Sequence, residues 1–381
     1  MEHKNSKHYH TGFDDGLIPI KSIEPTKSAD TDNLCQQMEH IGLGGSAIGD
    51  GIRTLANMFA DKDMFTVLTL SGAMTPAGMG LIICDLIDRG YVQAVVSTGA
   101  LITHGFVQSA GMAHFRHRAD ISDVEAHKRG YNRIYNVIEL EKNLDDAEGI
   151  IHKVLSGLNP YTTLSSHLVT RELGCWLAKN TEGRGILKST FKMNVPVYIP
   201  SFTDSELGLD VVLYNMKRIA EGKNSFNSNE FIDLLHFMEL FNQQKKAGIY
   251  TIGGGVPRNW AQQVPPFLSL IESRMPEGKK PTHIKPKKYF AGVRICPESV
   301  EWGGLSGCPY TEGVAWGKFD PAGQYAEILA DATIIWPFIH QAVCQRLDKL
   351  RLEKVEKNFD LKAQVEKAEK LIAPHFKSIC R

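Results

Sequence analysis

One strand–turn–helix–strand pattern in the first third of the chain constrains its fold more than any other feature. Residues 65–70 are apolar or β-branched, which predicts a short buried strand. A turn of glycine and other small residues follows at 71–78, then a helical stretch at 79–88 and a second strand at 91–97. This order predicts a βαβ unit in a parallel sheet. Such a turn suits a dinucleotide pyrophosphate at a helix amino terminus, although its spacing is not G-x-G-x-x-G.

The rest of the chain continues this alternation. Strands are predicted at 195–199, 248–252, 289–295 and 324–329, helices at 144–155, 163–180, 209–220 and 230–244, and one charged, helix-like segment at 342–372. At least five predicted strands end in small or acidic residues, and in a parallel sheet such ends share the edge where ligands bind. A single loop of this kind could simply terminate its strand, whereas five favour a common site.

Composition narrows the class of protein. With 43% apolar and 23% charged residues, the 381-residue chain resembles a soluble globular protein. Its formal net charge of zero gives no reason to expect nucleic acid or an anionic membrane as a partner. The polar start of the chain has no signal-peptide pattern, and no apolar run is long enough to span a membrane.

The cysteines and the first residues give two further expectations. Seven scattered cysteines without a Cys-x-x-Cys pair favour reduced thiols in a cytoplasm and no metal site. Residues 1–32 contain few large apolar side chains, so we expect a flexible arm followed by a single domain at 33–381.

The stretch 303–318 carries the clearest chemical pattern. Glycines dominate its first half, and its second half places Glu312, Trp316 and Lys318 within seven residues. Lys318 has two interpretations. It is either an ordinary surface lysine or an amine desolvated beside an aromatic ring, with a lowered pKa and ready to form an imine.

A resemblance favours the second interpretation. The run that carries it is Glu312-Gly313-Val314-Ala315-Trp316-Gly317-Lys318, and it resembles the Glu-Ala-Val-Ser-Trp-Gly-Lys hallmark of the deoxyhypusine synthase family. The resemblance extends over about 40–340 and includes Thr203-Asp204, 253–256 and Asp331-Ala332. It implies a Rossmann-like α/β fold with a doubly wound, mostly parallel sheet and helices on both faces. It also implies an NAD-binding homotetramer with sites at a dimer interface, which moves a 4-aminobutyl group from a polyamine.

Site residues follow by position from the same resemblance. Lys318 would be the nucleophile, and Glu312 and Trp316 would line the polyamine channel, since an apolar chain bearing cations suits carboxylates and an aromatic face. The residues expected to contact NAD are Gly72, Ala73, Met74, Thr75, Pro76, Thr98, Gly99, Ala100, Asp204, Gly254, Pro297, Glu298, Asp331 and Ala332.

The expected donor pocket departs from the family pattern. His104 stands where the synthases carry a glutamate, and Leu209 replaces an aspartate, with Asp210 next to it. Asn259 replaces the base histidine, and Leu305 replaces another polyamine-binding aspartate. We expect His104, Asp210 and Asn259 to contact the substrate. Because a charge-assisted contact is worth about 1.5–3 kcal/mol, these changes should weaken the binding of a trication.

Several functions therefore remain open at this point. The transferase could act on a protein lysine, or on a free diamine to give a homospermidine-like product, or it could use another donor such as agmatine. A non-catalytic NAD-binding oligomer is the alternative from a different class. The joint presence of Glu312, Trp316 and Lys318 argues against it.

Overall fold

A six-stranded parallel sheet lies at the centre of the computed structural model, which describes residues 9–303 and 308–376. The strands are β1 (Met64–Leu70), β2 (Ala94–Ser97), β3 (Phe115–Arg116), β4 (Tyr131–Ile134), β5 (Val137–Leu140), β6 (Thr163–Leu164), β7 (Val197–Tyr198), β8 (Asn227–Ser228), β9 (Lys246–Ile252), β10 (Tyr289–Ile295) and β11 (Phe319–Ile328). The order across the main sheet is β11-β10-β9-β1-β2-β7. All neighbouring pairs in it are parallel, as the sequence predicts.

The carboxyl ends of five strands of this sheet lie side by side. Leu70 of β1 is opposite Ser97 of β2 and Ile252 of β9. Ile252 is in turn opposite Ile295 of β10, which is opposite Ile328 of β11. This register brings the loops that follow the strands to one edge of the sheet, so the predicted common edge is confirmed.

Helices cover both faces of the sheet. They are α1 (Thr31–Met38), α2 (Ser46–Ala60), α3 (Gly80–Asp88), α4 (Gly99–Ser109), α5 (Asp123–Lys128), α6 (Glu141–Ser156), α7 (Ser166–Asn180), α8 (Ile186–Met193), α9 (Glu206–Ala220), α10 (Phe231–Asn242), α11 (Gly255–Gln262), α12 (Val264–Arg274), α13 (Tyr310–Ala315), α14 (Ala332–Lys349) and α15 (Leu361–Phe376). Along β1, Met64 and Leu68 join one apolar cluster with α2, α3 and α14, whereas Phe65 and Val67 join a second with α10 and α12. The alternation along one strand thus buries both faces, which confirms the expected α/β class.

Two small sheets lie outside the main one. Strands β3, β5 and β4 form an antiparallel sheet, and β6 pairs with β8. The sequence does not predict them, because strands of two to four residues are too short to show a period. Within the described ranges, no helix combines the length and the hydrophobicity that crossing a bilayer requires.

The C-terminal part of the chain differs from the single helical segment expected at 342–372. It forms α14 and α15, separated by eleven residues at 350–360. The chain turns after α14 because Arg351 adopts a left-handed conformation (φ 57°) and the amide of Leu352 returns to the carbonyl of Leu347. Helix α14 then packs in the first apolar cluster and α15 in the second, so one continuous helix was the wrong expectation.

The start of the described chain has little regular structure. Before α1 it contains only a short 3-10 helix at Pro25–Lys27, and the apolar side chains of Phe13 and Ile18 are exposed. Two backbone amides of this segment bond to the domain: that of Lys21 to the carbonyl of His40, and that of Glu24 to the Oε1 atom of Gln37 (2.7 Å). The boundary between arm and domain at residue 32 stays a prediction.

Candidate active site

A cavity of about 320 Å³ opens at the carboxyl edge of the main sheet. The loops that follow β1, β2, β7, β9 and β10 all contribute to its wall. The lining residues are Ser71, Gly72, Ser97, Thr98, Gly99, Pro200, Ser201, Asp204, Gly254, Gly255, Val256, Pro257, Cys296 and Glu298. The parallel register therefore produces a ligand-sized site at the position that α/β sheets ordinarily use.

Close approach of two backbones shapes the floor of this cavity. Gly253 has a φ of +80°, and a Cβ atom added there would lie 2.3 Å from the Oγ atom of Ser71. That hydroxyl donates to the carbonyl of Ile252 (3.1 Å) and accepts from the amide of Gly254 (3.0 Å). Only glycine allows this contact without strain, and the contact fixes the loop after β9 against the loop after β1.

The wall formed by α4 offers an unused hydrogen-bonding group. Thr98 is the residue before the first turn of α4, and its Oγ1 atom is buried without a hydrogen-bond partner among the described residues. A buried hydroxyl without a partner is costly, unless a ligand supplies one. The amino terminus of α4 also offers backbone amides that suit an anionic group. Together with the glycine-lined floor, these features fit the pyrophosphate part of a dinucleotide.

The expected cofactor residues divide into two groups. Those that line the cavity are Gly72, Thr98, Gly99, Asp204, Gly254 and Glu298. The others, which the cavity wall does not include, are Ala73, Met74, Thr75, Pro76, Ala100, Pro297, Asp331 and Ala332. Two of these have structural roles in this chain. The Thr75 hydroxyl donates to the carbonyl of Leu101 (2.9 Å), and the Asp331 carboxylate caps α14 by accepting from the amide of Thr333 (2.8 Å).

Seven of the lining residues were not among the expected cofactor contacts, whereas Ser71 belongs to the turn 71–78 that was predicted to bind a pyrophosphate. The seven are Ser97, Pro200, Ser201, Gly255, Val256, Pro257 and Cys296. All of them end a strand of the main sheet or follow one within five residues, and that position is the signal that could have identified them.

Lys318 does not line this cavity within one chain. It immediately precedes β11, so its backbone is at the amino edge of the sheet, where its carbonyl accepts from the amide of Tyr289. A left-handed turn at Gly317 (φ 70°) joins α13 to the strand, and the amide of Lys318 returns to the carbonyl of Gly313. Lys318 is consequently not among the residues that line the cavity.

The amine of Lys318 is nevertheless in an unusual setting. The residue is 7% exposed, and its Nζ atom donates to the Oδ1 atom of Asn259 at 3.3 Å. Burial lowers the pKa of Lys318, and the cation of Arg258 lowers it further, while Cys308 and Glu312 act in the opposite direction. A buried amine held by a neutral amide, instead of by a carboxylate, loses its proton more readily than a surface lysine.

Trp316 and Glu312 do not enclose this amine within one chain. The side chain of Trp316 is 65% exposed, and Glu312 is also exposed. The left-handed turn at Gly317 separates Trp316 from Lys318, so the indole faces outward while the amine is buried.

A comparison with known families now identifies the chain. A model described as deoxyhypusine synthase matches residues 33–343. The chain belongs to the deoxyhypusine synthase family.

Individual relatives agree with this assignment. The chain is 31% identical to "Probable deoxyhypusine synthase 1" of Methanosarcina acetivorans over 336 residues, which cover 88% of this chain and 97% of that protein. It is 26% identical to "Deoxyhypusine synthase-like protein" of Elusimicrobium minutum over 84% of this chain and 82% of that one. A crystal structure assigned as a deoxyhypusine synthase from Entamoeba histolytica shares the fold, with a TM-score of 0.56 and 13% identity over 90% of this chain and 100% of that one.

The positions at which this chain departs from the deoxyhypusine synthase pattern have distinct surroundings. Leu209 is 56% exposed on α9, and Leu305 lies outside the described residues. Asp210 is buried, and its Oδ2 atom has no hydrogen-bond partner in the described chain. Burial, with Glu206 and Glu148 nearby, raises the pKa of Asp210 to about 7. Asp210 therefore does not present a carboxylate at the surface that Leu209 occupies.

His104 belongs to a cluster that the sequence did not reveal. Its Nδ1 atom is 3.1 Å from the Oε2 atom of Glu139 in β5, and that same oxygen is 2.5 Å from the Nε2 atom of His114. The sequence near Glu139 and His114 gives no sign of this cluster, because the three residues meet only when β5 lies against α4 in the folded chain.

Proposed function

We propose that this protein is an NAD-dependent transferase, which moves a 4-aminobutyl group from a polyamine donor to an amine acceptor through an imine on Lys318. The buried, hydrogen-bonded amine of Lys318, at the Trp-Gly-Lys run of a deoxyhypusine synthase family member, carries this proposal. The pKa lowered by burial leaves more of the nucleophilic free amine near neutral pH.

The cavity at the carboxyl edge would hold the cofactor. Gly72, Gly99 and Gly254 allow the close approach of a pyrophosphate, and the Thr98 hydroxyl would bond to it. When bound there, NAD would supply a hydride acceptor for the carbon beside the donor nitrogen and a hydride donor for the product, so it would be required without being consumed.

Lys318 would carry the four-carbon fragment between donor and acceptor. Its neutral amine forms a bond to the oxidised carbon, and the bond from that carbon to the leaving amine breaks, which leaves the fragment as an imine of Lys318. The acceptor amine then adds to the same carbon and Lys318 leaves as a free amine. Asn259 positions the Nζ atom through its Oδ1 acceptor without the full charge that would hold Lys318 as an ammonium.

The site would be completed by a second copy of the chain. Lys318 does not line the cofactor cavity of its own chain, yet the proposed chemistry requires the amine and the cofactor to meet. The exposed indole of Trp316 next to Lys318 supports a subunit contact at this surface, because tryptophan is enriched among the residues that anchor protein interfaces. We therefore propose a homo-oligomer, a homotetramer by analogy with the family, in which Lys318 of one subunit serves the cavity of another.

One assay tests the proposed function and its alternatives. The purified protein, NAD and a panel of amines that includes spermidine, agmatine and putrescine are incubated, and new polyamines are measured by mass spectrometry, with and without a candidate acceptor protein. We expect transfer between free amines and poor modification of a protein lysine by spermidine, because His104, Leu209 and Asn259 replace polar groups of the synthases. No transfer with any amine would favour the non-catalytic NAD-binding oligomer. Efficient modification of the protein would contradict the expected preference.

A substitution at Thr98 tests where NAD binds. Thr98→Val keeps the shape of the side chain and removes the Oγ1 atom that has no partner, so the protein without NAD should be as stable as the wild type or slightly more stable. The NAD-induced rise in melting temperature should shrink, with an affinity about tenfold lower. Calorimetric titration and thermal shift measure both effects.

Thr103→Val is the matched control on the same helix. Its Oγ1 atom already accepts from the amide of Leu207 (3.3 Å) and donates to the carbonyl of Gly99 (3.0 Å). This variant should lose stability and keep the NAD-induced shift. Equal NAD affinity in Thr98→Val and wild type would place the cofactor elsewhere.

A further inference from the structure

A buried carboxylate organises the cluster around His104. Glu139 has a side chain that is 1% exposed, and four N–H groups face its two oxygens. The amide of Leu140 (3.0 Å) and the Nδ2 atom of Asn143 (2.8 Å) donate to Oε1. His104 and His114 share Oε2. Burial alone would raise the pKa of Glu139, but hydrogen bonds from His104, His114 and Asn143 lower it to about 2, so the group is a carboxylate at neutral pH.

The protons of the two imidazoles can be assigned from their neighbours. The Nε2 atom of Gln108 donates to the carbonyl of Thr75 (3.1 Å), which only accepts, so the amide orientation is fixed. The same NH₂ group lies 3.1 Å from the Nδ1 atom of His114 and donates to it. Nδ1 of His114 thus carries a lone pair, and its Nε2 carries the proton that faces Glu139.

This assignment disfavours a metal ion and defines the tautomer of His104. His104, His114 and Glu139 each have one ligand atom close enough to the others to bind a shared metal ion. A metal ion would bind Nε2 of His114 only through a lone pair, but this nitrogen carries the proton. Because Glu139 accepts from Nδ1 of His104, the lone pair of His104 is on Nε2. In enzymes that use a histidine as general base, a carboxylate accepts the Nδ1 proton in the same manner and leaves Nε2 free to take a proton.

The side chain of His104 is partly exposed, five positions along α4 from the cavity residue Gly99. Its Nε2 atom has no hydrogen-bond partner in 9–303 or 308–376, and the side chain is 19% exposed. Helix α4, which carries His104, begins at the cavity residue Gly99. Helix α9 begins at Glu206, two residues after the cavity residue Asp204, and the two helices are joined by the bond from the amide of Leu207 to Thr103.

Charged groups from each neighbouring element surround this imidazole. Glu139 from β5 and His114 from the segment before β3 face Nδ1, and Glu206 at the start of α9 interacts with His104 electrostatically. Because Glu206 is near enough to interact electrostatically with His104, its carboxylate and the lone pair on Nε2 would both attract an ammonium group at this surface.

We propose that His104 is the base that takes the proton from the donor ammonium, with Glu139 and His114 as positioning residues. This inference rests on the proposed function. An ammonium nitrogen has no lone pair, so the carbon beside it cannot give up a hydride. In the proposed step the N–H bond of the ammonium breaks and an N–H bond to Nε2 of His104 forms. The donor becomes a neutral amine, and the positive charge moves to an imidazolium stabilised by Glu139.

Kinetics of the first half-reaction test this role. With a donor amine and no acceptor, NADH formation is followed by absorbance as a function of pH in the full-length protein. His104→Gln should lower kcat about a hundredfold, with a small change in KM, and should shift the pH profile toward alkaline values, where the donor is already neutral. Glu139→Gln should lower kcat about tenfold. His127→Gln, an exposed histidine on α5, is the control and should behave as the wild type.

Two further measurements separate a base from a structural residue. Imidazole in the buffer should restore activity to His104→Ala, because it can occupy the space and accept the proton. In the protein without NAD, diethyl pyrocarbonate should modify Nε2 of His104, as located by peptide mass spectrometry. Glu139→Gln should lower that rate about threefold, since a neutral amide replaces the carboxylate that faces the Nδ1 proton.

The outcomes distinguish the two proposals. A wild-type protein that forms no NADH with any amine overturns the proposed function, whereas the modification pattern still tests the tautomer of His104. A wild-type protein that reacts, together with a folded His104→Gln variant that keeps the wild-type rate and pH profile, overturns the role of His104 alone. Stoichiometric zinc or iron in the purified protein, lost in His104→Gln, would overturn the proton assignment in favour of a metal site.

Discussion

Lys318→Arg is expected to abolish transfer while NAD still binds. A guanidinium stays protonated under all conditions in which the protein is folded, so it cannot attack an imine carbon. Lys318 differs from an ordinary lysine because burial lowers its pKa and because its Nζ partner is the neutral Asn259. We expect transfer to fall at least about 10³-fold and the NAD-induced thermal shift to persist, since Lys318 does not line the cofactor cavity.

Borohydride trapping during turnover tests directly whether an imine forms on Lys318. The reductant should fix a covalent adduct on Lys318 in the wild type and none on the arginine variant, as peptide mass spectrometry would report. The trapped fraction should rise with pH and level off below pH 10.5, the ordinary value for lysine, because the folded pKa is lowered. Lys188→Arg is the matched control, because Lys188 is also 7% exposed but donates to the carbonyl of Thr181. Transfer retained by Lys318→Arg would instead indicate direct attack of the acceptor on the free imine.

The main sheet was predictable because its strands are buried on both faces. Such strands have near-continuous apolar sequences, and the residues after them are small because loops approach a ligand there. The register that brings Leu70, Ser97 and Ile252 to one level follows from parallel pairing, so the position of the cavity could be predicted before its lining. The length of β7, which is only two residues, could not be predicted, because the local sequence pattern does not show where its pairing with β2 ends.

The cluster around Glu139 shows what sequence could not supply. A glutamate in the short strand β5 has the local signature of a surface residue, yet it is buried and satisfied by His104 and His114, 35 and 25 positions away. Only the packing of the small antiparallel sheet against α4 brings these groups together. For Lys318, in contrast, the sequence motif was informative and the surroundings of the residue were not predictable. The motif identified the residue, but it did not show that Trp316 would face away from it across the turn at Gly317.

A mixture of two inactive variants is expected to regain activity. If Lys318 of one subunit serves the cavity of another, a subunit with an intact cavity and Lys318→Arg can pair with a subunit that has an intact Lys318 and a damaged cavity. Co-expression in equal amounts should give about a quarter of the wild-type rate, because half of the dimers are mixed and each has one complete site of two. Each variant alone should be nearly inactive at an NAD concentration that saturates the wild type but lies well below the Kd of the cavity variant.

Gly253→Ala is the variant suited to damaging the cavity. Its Cβ atom would strain a backbone with φ +80° and displace the Ser71 hydroxyl, which then loses its bonds to Ile252 and Gly254. NAD affinity should fall about 10–100-fold. Gly278→Ala serves as the control, because Gly278 has a similar φ (+76°), no atom within 4 Å of the added Cβ, and no place in the cavity wall. It should lose stability slightly and bind NAD normally. If the mixed oligomer stays inactive while a mixture of wild type with either variant is active, Lys318 must act on the cavity of its own chain.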